Sequence, residues 1–375
     1  MKYSNFSFLL LTIIAMVLVS CESKKPKSEN TKQTNQEVSI RQPADTIGFA
    51  QYAWQMDSII ARIEQTNGDL LKSKLLYSAM EVGGWKTVLS PHDDYAYVGY
   101  LYPAVLKNLK AKTIILLGVA HKASQLNLED QLIFDSFDYW KAPGGNIKVS
   151  DFRKEIMDQL PKEIYQVNDS MQKMEHSVEA LLPFIQYYNP DVEIVSILIP
   201  YMSYETMERL AQPLANAINQ IAKSRNLVWG EDFALAISSD AVHYGDEGWG
   251  GKNFAFNGIG MDANQQTKIH EYDIMKTVAG EISPVKIKAF IEFTVEKNNY
   301  KEYQWTWCGR YSVPFGLLTS YYLQESMGVE PVKGVAIGYT TSIDNITLKV
   351  DDIGMGVTAV ANDHHWVGYA AIGYR

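Results

Sequence analysis

Three short apolar runs, Thr87 to Ser90, Thr113 to Leu117 and Phe233 to Ser238, are each followed within five residues by a histidine: His92, His121 and His243. Runs this short and this continuously apolar are the signature of strands buried on both faces, as in a parallel sheet covered by helices. Helical patterns lie between them. Leu101 to Leu109 supplies a crossover between the first two runs, and Glu205 to Ile221 places Met207, Leu210, Leu214 and Ile218 on one face after a further strand at Val192 to Ile199. Helices predicted at Gln265 to Val278, Val285 to Glu292 and Val313 to Glu325 precede strands at Gly334 to Thr340 and Trp366 to Tyr374. An amphipathic helix over Ala53 to Ile63 comes first, and the turn Pro143-Gly144-Gly145 joins short strands between Leu132 and Val149. This alternation predicts an α/β fold, a three-layer sandwich with a mostly parallel central sheet. In such sheets ligands bind beyond the carboxyl ends of the strands, which is where the three histidines fall.

The amino-terminal region reads differently. Met1 to Ser20 holds one lysine and the apolar run Phe8 to Val19, too short for a spanning helix and suited to a secretory signal. Its end, Leu18-Val19-Ser20-Cys21, resembles the lipobox of bacterial lipoproteins, which implies cleavage before Cys21 and attachment of lipid to that residue. From Glu22 to Thr46 the chain is mostly Lys, Ser, Asn, Gln and Thr with no aromatic residue, a composition that cannot offset the entropy of ordering. The expected organisation is a signal peptide over 1–20, a lipid anchor and tether over 21–46, and a single α/β domain over 47–375. A membrane lipoprotein facing the periplasm follows, and Glu22 in place of Asp after Cys21 leans towards the outer membrane by resemblance to lipoprotein sorting patterns.

With 34 Lys and Arg against 43 Asp and Glu, the formal charge is −9, and nucleic acid is excluded as a partner because phosphate neutralisation needs clustered cations. There are two cysteines. If Cys21 carries lipid, Cys308 has no intramolecular disulfide partner, and a retained lone thiol directs attention to metal binding or nucleophilic chemistry. Cys308 stands before Gly309, Arg310 and a helix predicted from Val313, and both the cation and the helix start favour thiolate. Imidazole with thiolate suits copper, zinc or iron, and imidazole with carboxylate suits non-haem iron(II). Asp240 and His243, three apart, are expected on one helical face after the strand Phe233 to Ser238, with Asp240 as ligand, imidazole orienter or helix cap. Ser177 as a cap with Glu179 in the first turn would place His176 at a helix entrance. His364, His365 and His270 read as solvated.

Taken in order, these segments resemble the Memo-like family, also called AmmeMemoRadiSam system protein B. Pro91-His92-Asp93-Asp94-Tyr95 is similar to the family's Pro-His-Ala-Gly-Tyr, and Gly118-Val119-Ala120-His121 to its Gly-Pro-Ser-His. Glu175-His176-Ser177-Val178-Glu179 with Leu182-Pro183-Phe184 matches its Glu-His-Ser-Ile-Glu element, and Ser238-Ser239-Asp240 with His243, Cys308-Gly309-Arg310 and Val367-Gly368-Tyr369 follow in the family's order. The resemblance implies a fold similar to class III extradiol dioxygenases, His92, His121 and Cys308 as a metal-binding set, Asp240 and His243 in the same pocket, and His176 as a further pocket residue. Asp93 and Asp94 depart from the family by adding two carboxylates beside His92, and Lys122 replaces its usual second histidine.

The expected function is that of a lipid-anchored metalloprotein doing redox or oxygen chemistry on a small molecule. His92, His121 and Cys308 hold a transition metal ion, copper or iron ahead of zinc, and His243, Asp240 and His176 act as catalytic groups. An iron(II) dioxygenase with a carboxylate from Asp93, Asp94 or Asp240 is the first alternative, and a non-catalytic module binding a peptide or small ligand in the same cleft is the second. A metal-independent hydrolase built on Cys308 is a further one.

Overall fold

The computed structural model describes residues 38–79 and 84–375, and residues 38–375 belong to one compact unit. The expected signal peptide, Cys21 and the expected tether as far as residue 37 lie outside the described residues. Among those described, no helix is long and apolar enough to cross a membrane.

The strands are β1 (Ile40–Arg41), β2 (Thr87–Ser90), β3 (Thr113–Val119), β4 (Leu132–Phe134), β5 (Tyr139–Ala142), β6 (Gly145–Val149), β7 (Tyr165–Val167), β8 (Glu193–Ile199), β9 (Phe233–Ser238), β10 (His243–Tyr244), β11 (Gly280–Glu281), β12 (Lys333–Thr341) and β13 (Trp366–Tyr374). The main sheet runs β1-β5-β6-β8-β3-β9-β2-β13-β12-β11. Its middle, β6-β8-β3-β9-β2, is wholly parallel, while β13, β12 and β11 on one side and the β5/β6 hairpin on the other are antiparallel.

The period of two along each central strand splits the interior into two cores, one per face. Ile114 and Leu116 of β3, with Ala234 and Ala236 of β9, join one core, which also holds Met56 and Ile59 of the helix Ala53–Ala79 and the helices Leu101–Leu106 and Leu182–Tyr188. Ile115 and Leu117 of β3, with Phe233, Leu235 and Ile237 of β9, join the other, with helices Phe152–Gln159, Tyr204–Arg225, Pro284–Thr294 and Ser312–Met327. This is the three-layer α/β sandwich that continuous apolar strands require.

Three local expectations give way. The first helix continues past Ile63 to Ala79, across a break at Asn67 (φ −127°, ψ 19°), because tertiary packing of Leu71 outweighs the polar stretch. Residues 38–46 belong to the folded unit instead of a tether: β1 pairs with β5, and Arg41 is buried between Trp140, 4.4 Å from its ring centroid, and the Glu179 carboxylate. Glu179 does stand in the first turn of a short 3-10 helix, Glu179–Leu181, but Ser177 does not cap it. Ser177 donates to Val119 O at 3.0 Å, and Glu179 accepts from Arg41 and from the backbone N–H groups of Ala44 and Asp45 at 2.8 and 3.0 Å.

Candidate metal centre

β3, β9 and β2 are neighbours in the sheet, and they deliver His121, Asp240 and His92 at their carboxyl ends. His176 comes from the loop after the helix Asp169–Met174, and Cys308 from the turn before the helix Ser312–Met327. The turn is fixed to the β9 loop by the bridge Val242–Trp307 and by His243 N donating to Thr306 O at 3.1 Å. Asp240 and His243 therefore share no helical face. The chain after β9 is extended, with His243 starting β10, and Asp240 caps nothing: its Oδ1 accepts from His92 N at 2.8 Å.

The donor atoms form two groups in which all lie within 4.8 Å of one another: His92, His121 and His176; and His92, Asp240 and Cys308. His92 Nε2 is 3.4 Å from Cys308 Sγ and 3.5 Å from Asp240 Oδ2. Its other nitrogen is committed. Ser238 spends its hydroxyl proton on Ser177 O at 2.6 Å, so at 2.7 Å it accepts from His92 Nδ1–H, leaving the Nε2 lone pair for an ion. The expected ligands His92, His121 and Cys308 thus meet around His92, joined by His176 and Asp240.

His121 is oriented by Glu175, whose carboxylate accepts from the His121 backbone N–H at 2.8 Å and from Nδ1 at 2.9 Å. It also takes the N–H groups of His176 and Ser177 at 2.9 and 2.8 Å. Burial works against the Glu175 charge, but His121 and these donors outweigh it and hold the carboxyl at about 2. Burial likewise opposes charge on His121, yet Glu175 and Cys308 raise it to about 10. His176 is lowered to about 4 and His243 to about 3, first by burial and then by the neighbouring His121. His92 is driven well down by burial and by His121, His176 and His243, so its imidazole is neutral and able to ligate.

Cys308 is buried at 4% exposure and accepts from Asp240 N at 3.2 Å. Burial pushes its thiol up, with His121 opposing and Asp240 adding to the rise. The expected help from Arg310 does not reach it: that guanidinium lies over the Tyr303 ring at 3.5 Å and donates to Lys301 O at 3.0 Å. Gly309 is required at the turn, because a Cβ there would collide with the Ser239 side chain.

A cavity of about 680 Å³ opens over these residues, lined among others by His92, His121, His176, Asp240 and His243. Asp93 and Asp94 line it too, but both are engaged: Tyr369 donates to Asp93 Oδ2 at 2.6 Å, and Thr358 N donates to Asp94 Oδ2 at 2.6 Å. Burial and the adjacent Asp93 raise Asp94 to about 7. The carboxylate beside His92 Nε2 is Asp240. His365, expected in solvent, lines the cavity and stacks on Trp249 with ring centroids 4.0 Å apart, and Trp249 in turn packs on His243 at 5.1 Å.

Glu175, Ser238 and Trp249 escaped the reading by residue type. Glu175 carried a signal, since it opens the Glu-His-Ser-Val-Glu segment, whereas the role of Ser238 depends on a tautomer that no spacing encodes.

The family model described as Memo-like protein matches residues 51–354. Curated relatives include MEMO1 family proteins of Pyrococcus furiosus, 28% identical over 166 residues (42% of this chain, 52% of that protein), and of Methanosarcina barkeri, 31% identical over 156 residues (41% and 53%). One of Pyrobaculum aerophilum is 26% identical over 200 residues (52% and 68%). The chain spans about half the length of the first curated relatives it matches. A solved structure of an uncharacterized protein from Escherichia coli K12 is similar at a TM-score of 0.38 and 11% identity, over 76% of this chain and 98% of that one.

Proposed function

The chain belongs to the Memo-like family, and on that premise we propose that it is a lipid-anchored metalloprotein in which His92, His121 and Cys308 hold a transition ion, copper or iron ahead of zinc, for redox or oxygen chemistry on a small molecule. The observation that carries this reading is that one nitrogen of each of two imidazoles is already held by a buried side chain. Ser238 occupies Nδ1 of His92 and Glu175 occupies Nδ1 of His121, which leaves the opposite nitrogen of each ring for an ion, on His121 by displacement of the proton that Glu175 and Cys308 favour. A thiolate beside two imidazoles favours copper or a redox-active iron over a hard ion.

When bound, such an ion supplies electron transfer or Lewis acidity. This chain's residues do the rest. Asp240 and His243 line the same cavity and are the proton-handling groups: burial and Asp93 raise Asp240, which favours the protonated acid, and His243 is neutral. Lipid on Cys21 would hold the domain at a membrane facing the periplasm, in the outer membrane by the sorting resemblance, supported by the sequence Leu18 to Cys21. A Cys21→Ser chain that still partitions with membranes would remove that part.

The test is metal content by mass spectrometry after anaerobic purification, beside His92→Ala, His121→Ala and Cys308→Ser. The parent is expected to retain near-stoichiometric copper or iron and each variant to lose most of it; a metal content indifferent to all three ends the reading. An iron(II) dioxygenase is favoured by one observation, Asp240 Oδ2 at 3.5 Å from His92 Nε2, and would show as iron and oxygen uptake retained in Cys308→Ser.

A further inference from the structure

Two groups of donors share a single residue. His92, His121 and His176 line the cavity as one group, and the other joins His92 and Asp240, which also line it, to Cys308, 4% exposed. His92 has only Nε2 to offer, because Nδ1 is engaged by Ser238 at 2.7 Å. One ion is therefore held at that nitrogen at a time, with His121 beside it and His176 or Cys308 available to complete its ligands.

The imidazole side is built as a unit. His121 and His176 lie face to face, with centroids 4.9 Å apart and planes 13° apart, and His92 stands perpendicular to both, at 88° and 87° with centroids 5.3 and 5.6 Å away. A single carboxylate serves the pair: Glu175 Oε1 is 2.9 Å from His121 Nδ1, 3.6 Å from His176 Nδ1, and accepts from the His176 backbone N–H at 2.9 Å. A carboxylate behind the far nitrogen of a ligating imidazole is the usual support of a metal-bound histidine; Glu175 gives it to His121 by a hydrogen bond and stands within ion-pair distance of His176.

We propose that His176 is a metal ligand, forming with His92 and His121 a three-imidazole arrangement on the cavity side that holds nitrogen-preferring divalent ions, while soft ions are drawn to the Cys308 side of the same His92. The proposal rests on the metal reading above and adds to it a ligand and a rule of choice. Imidazole suits ions such as nickel(II), whereas thiolate selects copper(I). Three cavity-facing nitrogens leave the remaining positions of the ion open to a small molecule.

The experiment is chelator-competition titration of the full chain with nickel(II) and, anaerobically, with copper(I), for the parent, His92→Ala, His176→Ala, His176→Phe and Cys308→Ser. His176→Phe keeps a ring against His121 but removes its nitrogens, so it separates ligation from packing. Nickel(II) affinity is expected to fall about 10-fold or more in both His176 variants, and to stay within about 3-fold of the parent in Cys308→Ser; copper(I) is expected to show the reverse, and His92→Ala to weaken both. Unchanged nickel(II) affinity in His176→Phe, or an equal loss in Cys308→Ser, overturns the proposal while leaving the His/His/Cys site standing. A parent whose uptake of both ions ignores His92→Ala overturns the proposal and the metal reading together.

Discussion

The Glu175 carboxylate holds His121 twice, taking its backbone N–H at 2.8 Å and its ring Nδ1 at 2.9 Å. Position and tautomer of the imidazole are set by one buried side chain, which itself follows the helix Asp169–Met174.

Glu175→Gln should therefore damage the site without touching a ligand. An amide can accept from His121 but brings no charge, and its NH₂ group meets N–H donors of the backbone. Loss of such a support typically costs about 10–100-fold in metal affinity, and a competition titration of Glu175→Gln beside the parent checks it. Parent-like affinity would mean that His121 is not a ligand.

A second buried carboxyl sets a pH dependence of stability. Glu271 accepts from the indole N–H groups of Trp305 and Trp307 at 2.7 and 2.9 Å and from Val242 N at 3.2 Å, and burial, only partly opposed by these donors, raises it from 4.5 to about 7. A carboxyl raised on folding binds its proton more tightly in the native state. Its contribution is fully present below pH 4.5 and is lost as pH rises through about 7, by about 3 kcal/mol at most. Glu271→Gln, which cannot ionise, should gain relative to the parent between pH 5 and pH 8. Denaturant unfolding at the two pH values reads that change, and an unchanged difference between the two proteins would refute it.

The amino-terminal strap is the third case. Arg41 is 1% exposed, contacts Glu179, donates to Gln172 O at 3.1 Å, and packs on Trp140. Ala44, Asp45 and Ile47, just beyond it, line the cavity. Removing one partner of a buried ion pair costs about 3–5 kcal/mol, so Arg41→Leu should lower the melting temperature clearly, and a chain starting at Ile47 should melt below one starting at Val38. Circular dichroism melts of the two lengths decide this. Equal melting temperatures would show that the strap merely rests on the domain.

These three cases mark what the sequence could and could not reveal. Strand β9 was legible because its residues are apolar on both faces, and His92 and His121 were legible because each closely follows such a strand. The strap was not, because β1 is two residues long and the partners of Arg41 lie far along the chain, so polar composition alone pointed to a tether. Ser238-Ser239-Asp240 looks like a helix start, but the backbone beyond it is engaged by the Cys308 turn: Val242 bridges Trp307 and His243 N bonds Thr306 O. Competition of that kind between a local preference and a distant partner is invisible to any short window of sequence.

The two additional acidic residues beside His92 offer the last prediction. If Asp93 or Asp94 completed an iron site, either change to Asn should empty it. One oxygen of each is already engaged, Asp93 Oδ2 by Tyr369 at 2.6 Å and Asp94 Oδ2 by Thr358 at 2.6 and 3.0 Å, whereas Asp240 stands 3.5 Å from His92 Nε2. Asp93→Asn and Asp94→Asn should then keep metal affinity within about 3-fold of the parent, while Asp240→Asn should weaken it by about 10-fold, because it alters both the carboxylate beside Nε2 and the acceptor of His92 N at 2.8 Å. Iron(II) and copper(I) titrations of the three variants separate the cases. A loss confined to Asp93→Asn would move the metal towards Tyr369 and away from Cys308, and would favour the dioxygenase reading with a different carboxylate.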